Sequence, residues 1–325
     1  MASPHSTFTE LVTTTLRNHP TEISDNVSTH NALYRRLKEK GQIEKISGGY
    51  AIVRPLDWAA NSTYQRFSGY DTLNVNASNV LSAAQFNWVQ AAVHVTASGS
   101  ELRQNSGKEQ LINLMKARVK NAMRTAANNM SVDLYSSGAL TNQMGGLAAI
   151  VTTDGTGTVG GINSATYTFW ANQYREMSGT GTWSKSTIKG DMNALWLACN
   201  RGTDHPDMII SSHDFYAAYW ENLQDLQRYN DNNSAKDKVG AGFPSIKYVD
   251  ADVIFDSNSN FSTTAERMYF TNSNYLSLVV HKQADWNQMD EKVPVNQDAV
   301  LIPIIWQGQL VCSNRSLQGI LIDAS

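Results

Sequence analysis

Asp204, His205, Asp207, His213 and Asp214 fall within eleven positions of the stretch "DHPDMIISSHDFYAAYWENLQ". Such a density of carboxylates and imidazoles is what a divalent-metal site or a general acid/base pair requires. The spacing argues against both. A helical zinc pair sets two histidines four residues apart on one face with a third ligand nearby, whereas His205 and His213 lie eight positions apart across an apolar run. That run, Met208 to Ile210, predicts a buried strand, with Ser212 or Asp214 capping a following helix. Tyr216, Tyr219, Trp220 and Leu223 recur along that helix at three- and four-residue spacings. Polar and acidic residues at a strand entrance and a helix N-terminus satisfy free backbone N–H groups and favour the helix dipole. No chemistry is needed to account for them.

"GTGTVG", Gly155 to Gly160, fits the pattern of a dinucleotide-binding turn. Its context does not. The following "GINSATYTFW" is rich in β-branched and aromatic residues and supplies no helix to hold a pyrophosphate at its N-terminus, so the segment reads as a flexible glycine loop. The sequence holds no phosphate-binding G-x-x-x-x-G-K-[ST], no H-E-x-x-H, no G-x-S-x-G and no C-x-x-C. Catalytic residues, a cofactor and a metal are therefore not expected. "NALYRRLKEKGQIEKISGGYAIVRP", residues 31–55, has the look of a recognition helix and wing, with Arg35, Arg36, Lys38 and Lys40 as phosphate contacts. The first 27 residues lack the two further helices that such a domain needs.

The elements that must position these residues are set by composition and pattern. A chain of 325 residues buries roughly three quarters of its extended surface, enough for a core split over two domains without a metal or disulfide. Only 17% of residues are charged, with 26 basic against 29 acidic and a net charge of −3. A polar but sparsely charged surface suits extensive protein–protein contact and argues against a protein that wraps phosphate backbone. Cys199 and Cys312 sit singly in apolar stretches and read as buried thiols of a reducing compartment. No run approaches the ~18 apolar residues of a membrane span, and a cytoplasmic origin with no membrane partner is expected.

Residues 1–27 read as an extended arm, 28–40 as a short helix stopped at Gly41, and "QIEKISGGYAIVRPL" as a hairpin turned at Gly-Gly. Residues 50–98 form a long polar and aromatic excursion ending in the strand-like "WVQAAVHVT". From Gly107 to Leu134 the apolar residues Leu111, Met115, Val119, Ala122, Ala126 and Met130 recur at helical spacing. On the other side Lys116, Lys120 and Arg124 form a basic stripe, either a solvated face or a set of DNA contacts. A Thr/Ser/Gly linker at 178–184 precedes helices near 188–200 and 214–227 and strands near 208–211, 246–256, 267–271, 275–281 and 299–306. The pattern is α+β and too irregular for a doubly wound sheet.

The order of these parts resembles the major capsid proteins of tailed bacteriophages, which share the Hong-Kong-type phage capsid fold. "NALYRRLKEKGQIEKISGGYAIVRPL" is similar to the passage from that family's N-terminal arm into its extended loop (E-loop). "GLAAIVTTDGTGTVGGINSATYTFW" is similar to the stretch after the long spine helix, "PDMIISSHDFYAAYW" to a strand and helix of the axial domain, and "RMYFTNSNYLSLVVH" to a later strand pair. The resemblance implies an arm over 1–41, an E-loop over 42–100, a peripheral domain over 101–185 with its spine helix at about 107–134, an axial domain over 186–265, and C-terminal strands over 266–325. It implies pentamers and hexamers in an icosahedral virion shell around double-stranded DNA, with arm and loop lying over neighbouring copies. Exposed loop aromatics, Tyr64, Phe67, Tyr70, Phe86 and Trp88, are expected to make those contacts. Lys116, Lys120 and Arg124 are the implied lumen-facing DNA contacts.

Welding of the shell through a loop lysine is not expected, because no lysine lies between Lys45 and Lys108. With about forty residues ahead of the hairpin, a separate scaffolding protein is expected, together with a portal and possible decoration proteins. The competing readings are an encapsulin-like nanocompartment shell, a metal- or nucleotide-dependent enzyme, and a phage tail or decoration protein.

Overall fold

The computed structural model describes residues 31–104, 114–177, 187–226, 246–256, 267–290, 292–294 and 296–323. The arm over 1–27, the start of the helix expected from 107, and the 178–184 linker lie outside these residues. The chain opens with helix α1 (Ala32–Glu39) and strands β1 (Ile43–Ile46), β2 (Ile52–Asp57), β3 (Leu81–Phe86) and β4 (Val89–Ser98). Helices α2 (Gly99–Gln104), α3 (Leu114–Asp133) and α4 (Leu147–Ile150) follow, then β5 (Thr158–Val159), β6 (Ile162–Asn163) and β7 (Gln173–Glu176). After α5 (Ile188–Ala198) come β8 (Met208–Ser211), α6 (His213–Leu226), β9 (Ile246–Tyr248) and β10 (Ala251–Phe255). The chain closes with β11 (Arg267–Thr271), β12 (Leu276–His281), β13 (Asn287–Gln288), β14 (Ala299–Cys312) and β15 (Gly319–Ile322).

A six-stranded sheet runs in the order β7-β15-β11-β8-β10-β9, mixing parallel β8–β10 and β7–β15 pairs with antiparallel neighbours. Its central strands are covered on both faces. Met208 and Ile210 of β8, Tyr269 of β11 and Ile320 of β15 point into one core, while Ile209, Met268, Phe270 and Leu321 point into another with α5 and α6. Side chains alternate along a strand, so only a strand with two buried faces reads as a continuous apolar run. That is why "MIIS" lacks alternation, and each of its three apolar side chains contributes about 1.5–3 kcal/mol on burial.

The second sheet runs β1-β12-β14-β13, with β4 also paired to β14. Strand β14 spans fourteen residues; Ala299–Gly308 pair with β4 and Gly308–Cys312 with β12. Gly308 lies at the handover, where a Cβ would meet the Val279 carbonyl oxygen at 2.6 Å. The first core joins both sheets: Leu278, Val280, Trp306 and Leu310 pack with Met208, Ile210 and Tyr269. Helix α3 lies across β4 and β14, setting Ala122 against Val95, Ile302 and Ile304.

Two expectations are corrected. Strand β1 does not fold back on β2: it pairs in parallel with β12, and β2 pairs with β3, Ile52 opposite Phe86. Gly-Gly therefore separates two sheets, because Ile43 is drawn to the first core while Ile52 and Leu56 pack with Ala84 and Phe86 in a third. The 155–160 glycines are also not a free loop. Gly155 and Gly157 lie ahead of β5, and Gly160 opens the β5–β6 turn, where it has φ of 60° and a Cβ would meet that of Ala84 at 2.8 Å. Among the described residues no helix is long and apolar enough to cross a membrane.

Arg315 holds the segment that leads into β5 to the body of the protein. Fully buried, it donates through Nε to the Ile150 carbonyl (2.6 Å) and through Nη2 to Thr152 Oγ1, the Thr156 carbonyl and Asn172 Oδ1 (2.7, 2.9 and 2.8 Å). Burial lowers its pKa, and the oxygens around it replace the lost water. Arg315→Met is expected to cost about 3–5 kcal/mol by urea unfolding, as several buried acceptors lose their donor at once. Arg315→Lys should restore only part, because an ammonium cannot span the fork.

Candidate assembly surfaces and the acidic cluster

The acidic cluster is a structural joint. Asp207 at the entrance to β8 accepts from the Ser273 backbone N–H and hydroxyl (2.8 and 2.6 Å) and pairs with Arg36 and Lys40 of the α1 region (3.4 and 3.5 Å). Arg36 also reaches Asp252 on β10 at 3.4 Å. Asp204 accepts from the Tyr275 hydroxyl at 2.7 Å, a bond that raises the pKa of Tyr275. His205 lies over the Trp196 ring and His213 against Phe255, with centroids 5.5 and 5.4 Å apart. The histidines thus serve as ring surface, and among the described residues no group of three acidic, histidine or cysteine side chains is placed to hold a metal. Asp214 is exposed in the first turn of α6. Ser212 precedes that turn, but its buried hydroxyl has no hydrogen-bond partner, so the expected side-chain cap from Ser212 does not form.

The same contacts dispose of the recognition-helix reading. Arg36 and Lys40 are committed to Asp207, Arg35 pairs with Glu39 one turn on (2.9 Å), and the wing is absent because β1 and β2 do not pair. Sequence reasoning missed this joint because Arg36 and Asp207 are 171 positions apart and neither belongs to a motif.

Among the described residues, a cluster of exposed large apolar side chains lies between β2 and β3. Residues 58–80 contain no strand or helix and are held by local polar ties: Trp58 N–H to the Val80 carbonyl (3.0 Å), Ser62 to Ser78 (3.3 Å) and the Gln65 amide to the Thr72 carbonyl (3.0 Å). Tyr64 (82% exposed), Phe67, Tyr70 and Val75 (90%) project from it without a core of their own. Phe86 and Trp88 do not share this display. Phe86 is buried in the third core, and Trp88 is half-buried, donating through Nε1 to the Gly49 carbonyl (2.9 Å) and meeting His281 edge-on.

Along α3, Lys116 and Lys120 are exposed and Arg124 is half-buried, opposite the buried Ala122, Ala126 and Met130. Arg118 turns inward instead. It donates to the Thr96 carbonyl (2.8 Å) and to Glu101 (3.0 Å), fixing α3 to α2 and holding the Glu101 carboxyl below its ordinary range.

Helix α3 over the β1-β12-β14-β13 sheet, a six-stranded sheet covered on both faces, and a projecting two-stranded loop with exposed aromatics make up the Hong-Kong-type capsid fold known from tailed bacteriophages. The chain is similar over nearly its whole length to solved shells of that class. The cyanophage A-1(L) capsid is 14% identical, covering 93% of this chain and 96% of that one, with a TM-score of 0.62. The capsid of Myoviridae phage XM1 is likewise 14% identical, over 94% and 96%, with a TM-score of 0.56. The holo-SrpI encapsulin complex of Synechococcus elongatus is 8% identical, over 92% and 91%, with a TM-score of 0.52. No protein-family model matches the sequence, and no curated protein is detectably similar to it.

Asp207→Ala is expected to lower stability by about 2–4 kcal/mol in denaturant unfolding, since Ser273 and Arg36 lose a buried acceptor together. Asp214→Ala should cost under about 1 kcal/mol. Replacing His205 and His213 by alanine should leave the zinc content of the purified protein unchanged by elemental analysis.

Proposed function

We propose that the chain is the major capsid protein of a tailed bacteriophage, assembling as pentamers and hexamers into an icosahedral virion head around double-stranded DNA. The observation that carries this reading is the end-to-end likeness to phage capsid proteins, over more than nine tenths of each chain. Two features support it. A loop whose large apolar side chains stand exposed among the described residues gains stability by lying on another copy. Asp207 and Asp252 are engaged in holding α1 to the six-stranded sheet, and His205 and His213 in packing on the Trp196 and Phe255 rings, so the work proposed is assembly and not catalysis.

On this reading residues 42–100 are the E-loop, 101–185 the peripheral domain, 186–265 the axial domain, and 266–325 the strands that complete both. Assembly takes place in the bacterial cytoplasm, with a separate scaffolding protein, a portal and decoration proteins as partners. Lys116, Lys120 and Arg124 face the lumen and contact phosphates without sequence preference. The encapsulin likeness favours a second reading, a shell of the same fold enclosing protein.

Negative-stain microscopy of the protein coexpressed with its genomic neighbours is expected to show closed polyhedral shells carrying nuclease-protected DNA. Shells filled with protein would establish the second reading, and a monomer that never closes would exclude both. Reversing charge at Lys116, Lys120 and Arg124 together is expected to reduce DNA retention, measured as DNA per shell, without reducing the yield of empty shells.

A further inference from the structure

Between α1, α3 and the second sheet lies a cavity of about 610 Å³. The size falls within the ~300–1,000 Å³ of sites that bury a small ligand. Its floor is apolar: Met130, Leu134, Leu278, Val280 and Trp306 are buried, and Trp286 stacks on Trp306 with ring centroids 6.1 Å apart. Trp286 has φ of 53°, a left-handed conformation that a bulky aromatic residue rarely adopts, and strain of that kind concentrates where a side chain clamps a ligand. The polar lining is largely spent within the protein. Asn31 caps α1 through Tyr34 N–H (2.7 Å) and donates to the Ser131 hydroxyl on α3 (2.8 Å), and Lys45 pairs with Asp285. Lys38 lines the same cavity and is exposed, and among the described residues it bonds to no carboxylate.

We propose that this cavity binds a medium-chain fatty acid, its alkyl chain over the Trp286–Trp306 floor and its carboxylate at Lys38. Three observations select that chemistry. The floor offers aliphatic and ring carbon, so what it gains from a ligand is apolar area removed from water, and a flexible alkyl chain supplies that area. The Asp285 carboxylate already offsets Lys45, which leaves one positive charge on the lining and calls for a ligand with one negative group, neither a neutral hydrocarbon nor a dianion. Tyr34 and Met123 line the cavity and are each 39% exposed, so apolar surface continues outward to where the chain enters. The inference goes beyond shell formation: it concerns one molecule and holds whatever a shell encloses.

Isothermal titration calorimetry of the full-length chain with hexanoate, octanoate and decanoate, each below its micelle concentration, tests it. The expected result is saturable binding of one molecule per chain, tightening about fourfold for each added methylene. Decanol is expected to bind about tenfold or more weakly than decanoate, because it brings no charge to Lys38. Two variants locate the site. Lys38→Glu, at an exposed position, is expected to weaken decanoate about tenfold or more, and Ala127→Trp, which fills the lining from an exposed position of α3, to abolish binding. Thermal unfolding of both variants without ligand checks that each is folded. The absence of saturable binding, equal affinities for decanoate and decanol, or unchanged affinity in Lys38→Glu overturns the proposal. So does cosedimentation with phosphatidylglycerol vesicles by a chain that takes up no free decanoate, which would assign the surface to a membrane.

Discussion

Everything in this fold depends on three short strands being covered on both sides at once. Because β8, β11 and β15 send alternate residues to opposite cores, the six-stranded sheet is at once the floor of the α5–α6 layer and one wall of the core shared with the second sheet. A polar residue placed at Ile209 or Ile210 has no solvated face to turn to. The two sheets share one close-packed core through the packing of Leu278 and Trp306 with Met208 and Tyr269.

Polar joints then fasten what the cores leave loose. Arg315 anchors the segment leading into β5, Arg118 fixes α3 to α2, and Asp207 gathers α1 onto the six-stranded sheet. Each uses a guanidinium where a forked donor meets several oxygens in fixed directions, a task that suits arginine better than lysine. In the Asp207 and Arg315 joints the oxygens are engaged by hydrogen bonds within the joint. The charged residues are few, and a good share of them is spent on internal fastening.

How much of this could be read from the sequence follows from range. Strands 208–211 and 267–271 are found where the sequence analysis expects them, because their apolar runs are dense and bounded by polar residues. The helix at 213–226 is expected from its aromatic spacing, and α+β organisation from the irregular alternation. Strand β7, "QYRE", was not expected: it is an edge strand of polar residues that pairs only because β15 lies beside it. Strand β3, "LSAAQF", is poor in β-branched residues and exists through its register with β2. The pairing of β1 failed for the same reason. Local turn chemistry at Gly48-Gly49 points to a hairpin, and a partner more than two hundred residues away overrides it. Of the functional features, the exposed loop was legible from its length and aromatics, apart from Phe86 and Trp88, whose burial is decided by tertiary packing. The Asp207 joint was legible as a cluster but not as a joint, since its cationic half lies far away along the chain.

The pairing of β1 with β12 also governs the order in which the molecule can be built. Ile43 finds its strand partner only at Leu278, 235 residues later. At the ~5–20 residues per second of translation, that interval lasts roughly 10–50 seconds, during which β1 emerges from the ribosome without its ladder. The nascent chain therefore carries an open strand and an unfinished core until almost the whole polypeptide is made. Closure of the second sheet is a late, long-range event of the kind that slows folding.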